Sequence, residues 1–454
     1  IVQVAILARL LTPADFGLFA VVLAIMAFLQ IFADAGISNA IIHYQDITQK
    51  QLSSLYWLNV SASLLLATLV AVTSPWLSNW YHEPLLQYLL MLAATTLVAS
   101  SLGQQIKVVA QKNLLFAKLA KVELIAAFFG FIAAICLAWL DAGVFSMIIG
   151  SLVTAVISSL LLWALLSEGW RPKLRLQLGE IRKFLKFGAY MVGNNLANTF
   201  NMQIDILLGT RLLGAQLIGM YSLPKELSLR IAGVINPIIT QVGLPIMASA
   251  QGNTPLLKRI YLQTIRMTAS INFPAYVSLA IFAPEIVRLI LGEKWLPAIP
   301  LLQIFACWAL LRSIGNPAGI LLMARGRADL SFKWNMLLLL IMPPTIWIGS
   351  QFGIMGMAVA MATIGVVLYI PSWYFLIRPL CGATLGEYSM QMAVPLVLSI
   401  LAGVISYLSV YFWEDNLLRL SIGVPVGGLV YVGLSWRFNR VWVDAMIELG
   451  LFKK

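Results

Sequence analysis

Charged residues are scarce in this chain, at 11% of 454 positions against roughly 25% in an ordinary soluble domain. That deficit excludes a conventional globular protein. Histidine is nearly absent: His43 and His82 alone argue against a multi-histidine metal centre or a haem site. Cys136, Cys307 and Cys381 have no metal-ligand spacing and offer no disulfide framework. The sequence also lacks G-x-x-x-x-G-K-[ST], G-x-S-x-G, H-E-x-x-H and a glycine-rich dinucleotide fingerprint. Nucleotide hydrolysis within the chain is thereby excluded. Long polar loops are missing too. Connections such as LTPAD, SNWYHEP, LDAG, LGEKWLPA and FWEDN leave little room for the acid–base site of a glycosyltransferase or polymerase.

What fills the chain is apolar sequence, 61% of it hydrophobic. Fourteen apolar segments recur, at 1–11, 16–42, 54–74, 85–106, 119–140, 143–166, 184–208, 217–248, 261–291, 298–323, 332–350, 353–377, 388–412 and 417–436. Most reach the ~20 residues that a helix needs to cross a bilayer, and barrel strands would be shorter and alternating. The expectation is an all-α polytopic membrane protein with about 14 transmembrane helices. The first is expected to be truncated, because the chain opens inside an apolar run. The net charge of +12 could suggest nucleic acid, but its distribution does not. Most basic residues fall in alternate connections, among them Lys107–Lys121, Arg171, Lys173, Arg175, Arg182, Lys258, Arg325 and the tail residues Lys453 and Lys454. By the positive-inside rule that side, with both termini, is cytoplasmic. No nucleic-acid partner is expected.

An internal repeat is visible. Arg9-Leu10-Leu11 with Gly17 and Phe19 returns about 200 residues later as Arg211-Leu212-Leu213 with Gly219 and Tyr221. The stretch GISNAII (36–42) returns as GVINPII (233–239), and Leu85-Leu86-Gln87 as Leu301-Leu302-Gln303. An even number of segments separates the copies, so the two halves should be six-helix lobes related by a pseudo-two-fold axis along the membrane normal. This gives an N-terminal lobe over 1–166, a basic linker over 167–183 with the character of an amphipathic surface helix, a C-terminal lobe over 184–378, and helices 13 and 14 with a basic tail over 379–454.

Polar residues inside the apolar segments are the candidates for function, because an ion at bilayer depth costs at least ~2.5–3.5 kcal/mol. Asn194, Asn198, Asn201 and Asp205 follow i, i+4, i+7, i+11 and lie within about 60° on a helix. Such a stripe must face protein or a water-filled cavity. Gln30, Asp34 and Ser38 form a similar stripe. Asp34 and Asp205 could bind a coupling proton or cation, or pair with an arginine such as Arg312. Glu226 and Arg230 are i,i+4 in the order that favours mutual pairing. Lys225 points elsewhere, in line with Asn236, and has no in-helix acid at i±3 or i±4. It either faces a cavity or snorkels along its own helix. Arg312 sits mid-segment in WALLRSIGNPAGILL, on a face shared with Asn316, where Gly315 and Pro317 should break the helix.

The stretches ARLLTPADFGLFAVV, FADAGISNAIIHYQDIT, GQQIKVVAQKNLLF, INPIITQVGLPIMA, LGEKW and LLRSIGNPAGILLMARGRADLSFKWN resemble bacterial polysaccharide flippases. These belong to the multidrug/oligosaccharidyl-lipid/polysaccharide exporter superfamily, and the likeness is to the colanic acid exporter type of lipopolysaccharide biosynthesis protein. The resemblance implies a non-enzymatic transporter of the bacterial inner membrane. It would move undecaprenyl-pyrophosphate-linked oligosaccharide from the cytoplasmic to the periplasmic leaflet by alternating access. Its partners would be this substrate, membrane lipids and polysaccharide polymerase machinery. No cofactor is implied beyond a coupling ion, H+ or Na+. The candidate substrate-binding set is Arg312, Lys225, Arg9, Arg230, Asn194, Asn198, Asn201, Asn236, Asn316 and Asn39. The candidate ion-coupling set is Asp34, Asp205 and Glu226. An antiporter of cationic drugs is the competing reading, and an excess of cationic over acidic candidates argues against it.

Overall fold

In the stretch LTPAD, local chemistry starts a helix. The Thr12 hydroxyl accepts from the Asp15 backbone N–H at 3.3 Å, and the Asp15 carboxylate accepts from the Thr12 backbone N–H at 2.9 Å. Pro13 takes the first helical position, where a missing N–H costs nothing. The other Asp15 oxygen accepts from the Val144 backbone N–H at 3.1 Å, so one carboxylate also ties down the start of a distant helix.

The computed structural model describes residues 2–44, 46–174 and 176–448. Arg175, Lys453 and Lys454, counted above for topology, lie outside them. Regular structure among the described residues is helical throughout. In chain order α1 is Val2–Leu10, α2 Pro13–Asp34, α3 Ile37–His43, α4 Gln49–Tyr81, α5 Leu85–Lys112, α6 Phe116–Trp139, α7 Phe145–Leu166 and α8 Leu178–Leu213. There follow α9 Ala215–Ser249, α10 Thr254–Ile281, α11 Ala283–Ile286, α12 Ile299–Ser313, α13 Gly315–Ala324 and α14 Ala328–Ser350. The chain continues with α15 Gly353–Val367, α16 Tyr369–Ser372, α17 Arg378–Cys381, α18 Leu385–Ser409, α19 Asn416–Phe438 and α20 Arg440–Glu448. Among the described residues ten helices are long and apolar enough to cross a membrane, or up to 12 when two bent pairs each count as one span. The chain is a multi-pass membrane protein. Of the fourteen segments expected, α1 is only nine residues long and α8 is made less apolar by its asparagines, so neither is among those spans.

Three details depart from expectation. The segment 16–42 is not one helix, because Ala35 and Gly36 adopt left-handed backbone and separate α2 from α3. The segment 261–291 bends by 71° after Ile281. The linker 167–183 carries no surface helix of its own. Its described residues up to Gln177 are non-helical, and α8 begins at Leu178. Backbone groups that a helix would have satisfied go instead to α4. The Lys173 N–H donates to Ser53 Oγ at 3.2 Å, and the Lys173 carbonyl accepts from Trp57 Nε1 at 2.9 Å.

Two units emerge from the contacts, residues 1–219 with 338–343 and residues 220–337 with 344–454. In the first, α6 packs on α7, α5 on α4 and α7, and α8 on α2, α3 and α4. Close approach relies on glycine. A methyl on Gly130 would meet Thr154 Oγ1 at 1.9 Å and the Gly150 carbonyl oxygen at 2.6 Å, as in the small-residue faces that join membrane helices. The repeat-related glycines Gly17 and Gly219 abut one another. A methyl on Gly17 would lie 1.8 Å from the Ala215 carbonyl oxygen, and one on Gly219 would lie 1.7 Å from that of Pro13.

In the second unit α10 is the hub, packing on α12, α18 and α19, with α12 on α15. A buried ion pair of 2.8 Å between Glu285 of α11 and Arg419 of α19 pins the bend. Removing one partner of such a pair leaves an uncompensated charge, so it fixes geometry more than it adds stability. Asn439, fully buried, accepts from Arg266 Nε at 2.7 Å and donates to Ser270 Oγ at 2.8 Å, which fastens the start of α20 to α10.

Gly17→Ala and Gly219→Ala should each destabilise the protein by about 1–3 kcal/mol or more, since the obstructing atoms are backbone. Gly433→Ala, where an added methyl meets only open space, is the matched control and should leave thermal unfolding in detergent unchanged.

Candidate functional site

The second unit holds a polar cluster on α9, α10 and the α12–α13 break. Pro237 has no N–H, so the Gly233 carbonyl loses its usual helical donor. The Asn236 carbonyl accepts from Thr240 Oγ1 at 3.0 Å and from Asn316 Nδ2 at 3.3 Å. Asn316 Nδ2 also donates to Thr240 Oγ1 at 3.1 Å, and the Asn236 Oδ1 accepts from Asn272 Nδ2 at 3.5 Å. Asn272 is fully buried, and its Oδ1 has no hydrogen-bond donor among the described residues. Asn236, Thr240, Gln241 and Asn316, with Gly233 and Pro237, line a cavity of about 460 Å3. Its chemistry is neutral, with amide, hydroxyl and carbonyl groups that suit hydroxylated ligands.

Arg312 supplies the charge. The helix breaks after Ser313, as Gly315 and Pro317 led one to expect, and α13 starts at Gly315. The side chain of Arg312 is exposed although its helix is a membrane span, and its guanidinium stands 5.4 Å from the Trp308 ring centroid. That ring face favours a cation and holds it one turn from Asn316. The charge also acts on the Tyr276 hydroxyl, which accepts from the Ala232 backbone N–H at 3.2 Å.

The remaining candidates separate into distinct surroundings. Glu226 and Arg230 form the expected i,i+4 pair at 2.6 Å, both half-exposed. Lys225 is buried, 5% exposed, so its ammonium does not reach water by snorkelling. In the first unit Asp205 is fully buried, Asn194 and Asn201 are partly buried and Asn198 is exposed. Asp34 lies at the end of α2, where its carboxylate accepts from the hydroxyl and the backbone N–H of Ser38. Gln104 Nε2 donates to that hydroxyl at 3.1 Å. Asp34 therefore caps the first turn of α3 across the left-handed break, a structural task that a continuous stripe would not have given it. Arg9 and Asn39, in the first unit, are both exposed.

Thr240, Asn272 and Tyr276 were not among the residues singled out from the sequence. The signal was there: Thr268, Asn272 and Tyr276 follow i, i+4, i+8 inside an apolar run. A double-mutant cycle with Glu226→Ala and Arg230→Ala, read by thermal unfolding, should give a coupling of only about 0.2–1 kcal/mol, because the pair is half-exposed.

Comparison with known proteins gives consistent relatives. Residues 6–300 match the family described as polysaccharide biosynthesis protein. The chain is 33% identical over 408 residues to the lipopolysaccharide biosynthesis protein WzxC of Escherichia coli (strain K12), covering 90% of this chain and 83% of that protein. It is 32% identical over 442 residues to the teichuronic acid biosynthesis protein TuaB of Bacillus subtilis (strain 168), covering 96% and 91%. Among solved structures it resembles the lipid II flippase MurJ in an inward closed conformation, with a TM-score of 0.79 at 15% identity over 97% of this chain and 96% of the other. An inward-facing multidrug resistance MATE transporter superposes with a TM-score of 0.62 at 17% identity, over 83% and 93%. At such identities the structural likeness speaks for the fold alone.

Proposed function

Because the chain belongs to the polysaccharide biosynthesis protein family, a family of transporters and not of enzymes, we propose that it flips undecaprenyl-pyrophosphate-linked oligosaccharide across the bacterial inner membrane. The basic connections face the cytoplasm in this reading, and the substrate moves from the cytoplasmic to the periplasmic leaflet. The observation that carries the proposal is Arg312, an exposed guanidinium within a spanning helix, four residues before Asn316, which lines a cavity of neutral amides and hydroxyls. A guanidinium left in lipid would cost at least ~2.5–3.5 kcal/mol, so an exposed one at this depth suits contact with water or an anionic ligand. Its planar fork matches the paired oxygens of a pyrophosphate better than a lysine point charge does.

The sugars would be read by neutral groups. Asn236, Thr240 and Asn316 offer donors and acceptors without fixing one sugar, and the carbonyl freed by Pro237 adds an acceptor. This division supports a shared carrier with variable cargo: relatives of this chain are named for lipopolysaccharide and for teichuronic acid. A drug antiporter would instead need acids facing the cavity, and none of the residues lining this one is acidic. Drive would come from a proton or sodium gradient acting on Asp34 or Asp205.

Arg312→Ala should lower polysaccharide export by more than about tenfold and trap lipid-linked repeat units inside, with protein levels unchanged. Arg312→Lys should recover part of the export, and wild-type export in the alanine variant would remove Arg312 from the mechanism. Asp34→Asn and Asp205→Asn, assayed in vesicles with imposed proton or sodium gradients, should weaken the gradient dependence of export. Unaltered dependence in both would rule these acids out of coupling.

A further inference from the structure

The first unit contains a cavity of about 680 Å3 that the proposed transport does not use. It opens where α4 begins and where α5 and α7 end. Its floor is apolar, made by Leu52, Ile106, Val109 and Leu166 among others, and its rim is charged, with Lys50, Arg171, Lys173 and Glu168. The side chains of these four charged residues make no ion pair with one another or with any other described residue.

The walls are built, not incidental. Trp170 stacks on Trp163 at 6.0 Å with 13° between the planes, and both meet the edge of Tyr56. Trp163 Nε1 donates to the Leu102 carbonyl at 2.7 Å, and the strand of linker beyond Trp170 is stapled to Ser53 and Trp57 as described above. Glu168 and Gly169 both take left-handed backbone, φ 47° and 76°, which turns the chain over the end of α7 and sets Glu168 on the rim. A non-glycine residue held there is a local cost that the packing of Trp170 offsets.

The electrostatics are mixed in a specific way. Three basic side chains call for an anion. The carboxylate of Glu168 and the C-terminal ends of α5 and α7, with their partial negative charge, call for a cation. A simple anion would leave Glu168 unused, and a simple cation would be repelled by Lys50, Arg171 and Lys173. A ligand that carries a phosphate diester and a primary ammonium satisfies both. The apolar floor and the exposed Leu114 and Leu165, next in sequence to the lining Leu115 and Leu166, continue this site into a lipid-facing surface. We propose that the cavity binds the phosphoethanolamine headgroup of a membrane glycerophospholipid, with Lys50, Arg171 and Lys173 on the phosphate and Glu168 on the ammonium. This assignment is independent of the substrate reading given above.

The test uses the full chain, purified and delipidated, with short-chain phospholipids added back and bound lipid counted by native mass spectrometry. Phosphatidylethanolamine should bind about tenfold more tightly than phosphatidylcholine, whose quaternary ammonium has no N–H to donate, and than phosphatidylglycerol, which has no ammonium. The paired change Arg171→Ala with Lys173→Ala should lower that affinity about tenfold. Glu168→Gln, which alters neither size nor fold, should reverse the preference in favour of phosphatidylglycerol. Equal binding of the three lipids, or an unchanged preference in Glu168→Gln, would overturn the proposal. So would binding of glycerophosphoethanolamine or inorganic phosphate as tight as that of the lipid, because the ligand would then be a soluble phosphoryl compound.

Discussion

In a bilayer no polar group can be left facing lipid, so each one must find a partner inside the protein or open onto water. The rest of this structure follows from that rule. Some side chains have their needs met locally, as Glu226 and Arg230 do in their i,i+4 pair and Asp34 does at the first turn of α3. Where needs are met only in part, as with the Asn272 amide oxygen, polarity collects among Asn236, Thr240, Asn272 and Asn316 in the second unit. Residues that would be intolerable against lipid satisfy one another once they point together.

Close packing supplies what the hydrophobic effect cannot, since lipid tails are as apolar as leucine. Gly130 against Gly150, and Gly17 against Gly219, bring helix backbones within contact. The second of these pairs joins positions that correspond in the internal repeat. A motif read as a trace of duplication is therefore also a point of physical contact, and each copy's glycine makes room for the other's.

Hydropathy made the helical, membrane-spanning class legible, and the i,i+4 rule made the Glu226–Arg230 pair legible. The break at Ser313–Gly315 was readable from Gly315 and Pro317. The break at Ala35–Gly36 was not, because no proline marks it and the polar stripe of Gln30, Asp34 and Ser38 runs across it at helical spacing. What decides it is tertiary: a methyl on Gly36 would sit 2.5 Å from the Gly188 Cα. Linker 167–177 misled for a related reason. Its charges suggested an amphipathic helix, whereas Ser53, Ser54 and Trp57, more than a hundred residues earlier, claim its backbone. At the site, Asn236 and Asn316 were visible as polar residues in apolar runs. Thr240 was not, because a threonine in a membrane helix usually satisfies itself on the preceding turn, and Thr240 does that as well as meeting Asn316.

Asp15 serves two helices, its own and one whose capping residue, Val144, lies 129 residues later in the chain. Synthesis proceeds at roughly 5–20 residues per second, so several seconds to about half a minute pass between the emergence of Asp15 and that of Val144. During that interval the carboxylate can complete the cap of α2 but holds an acceptor oxygen open. The arrival of α7 closes it. Assembly of the first unit thus has a built-in order, in which an early helix waits at the membrane surface with a bond reserved for a late one.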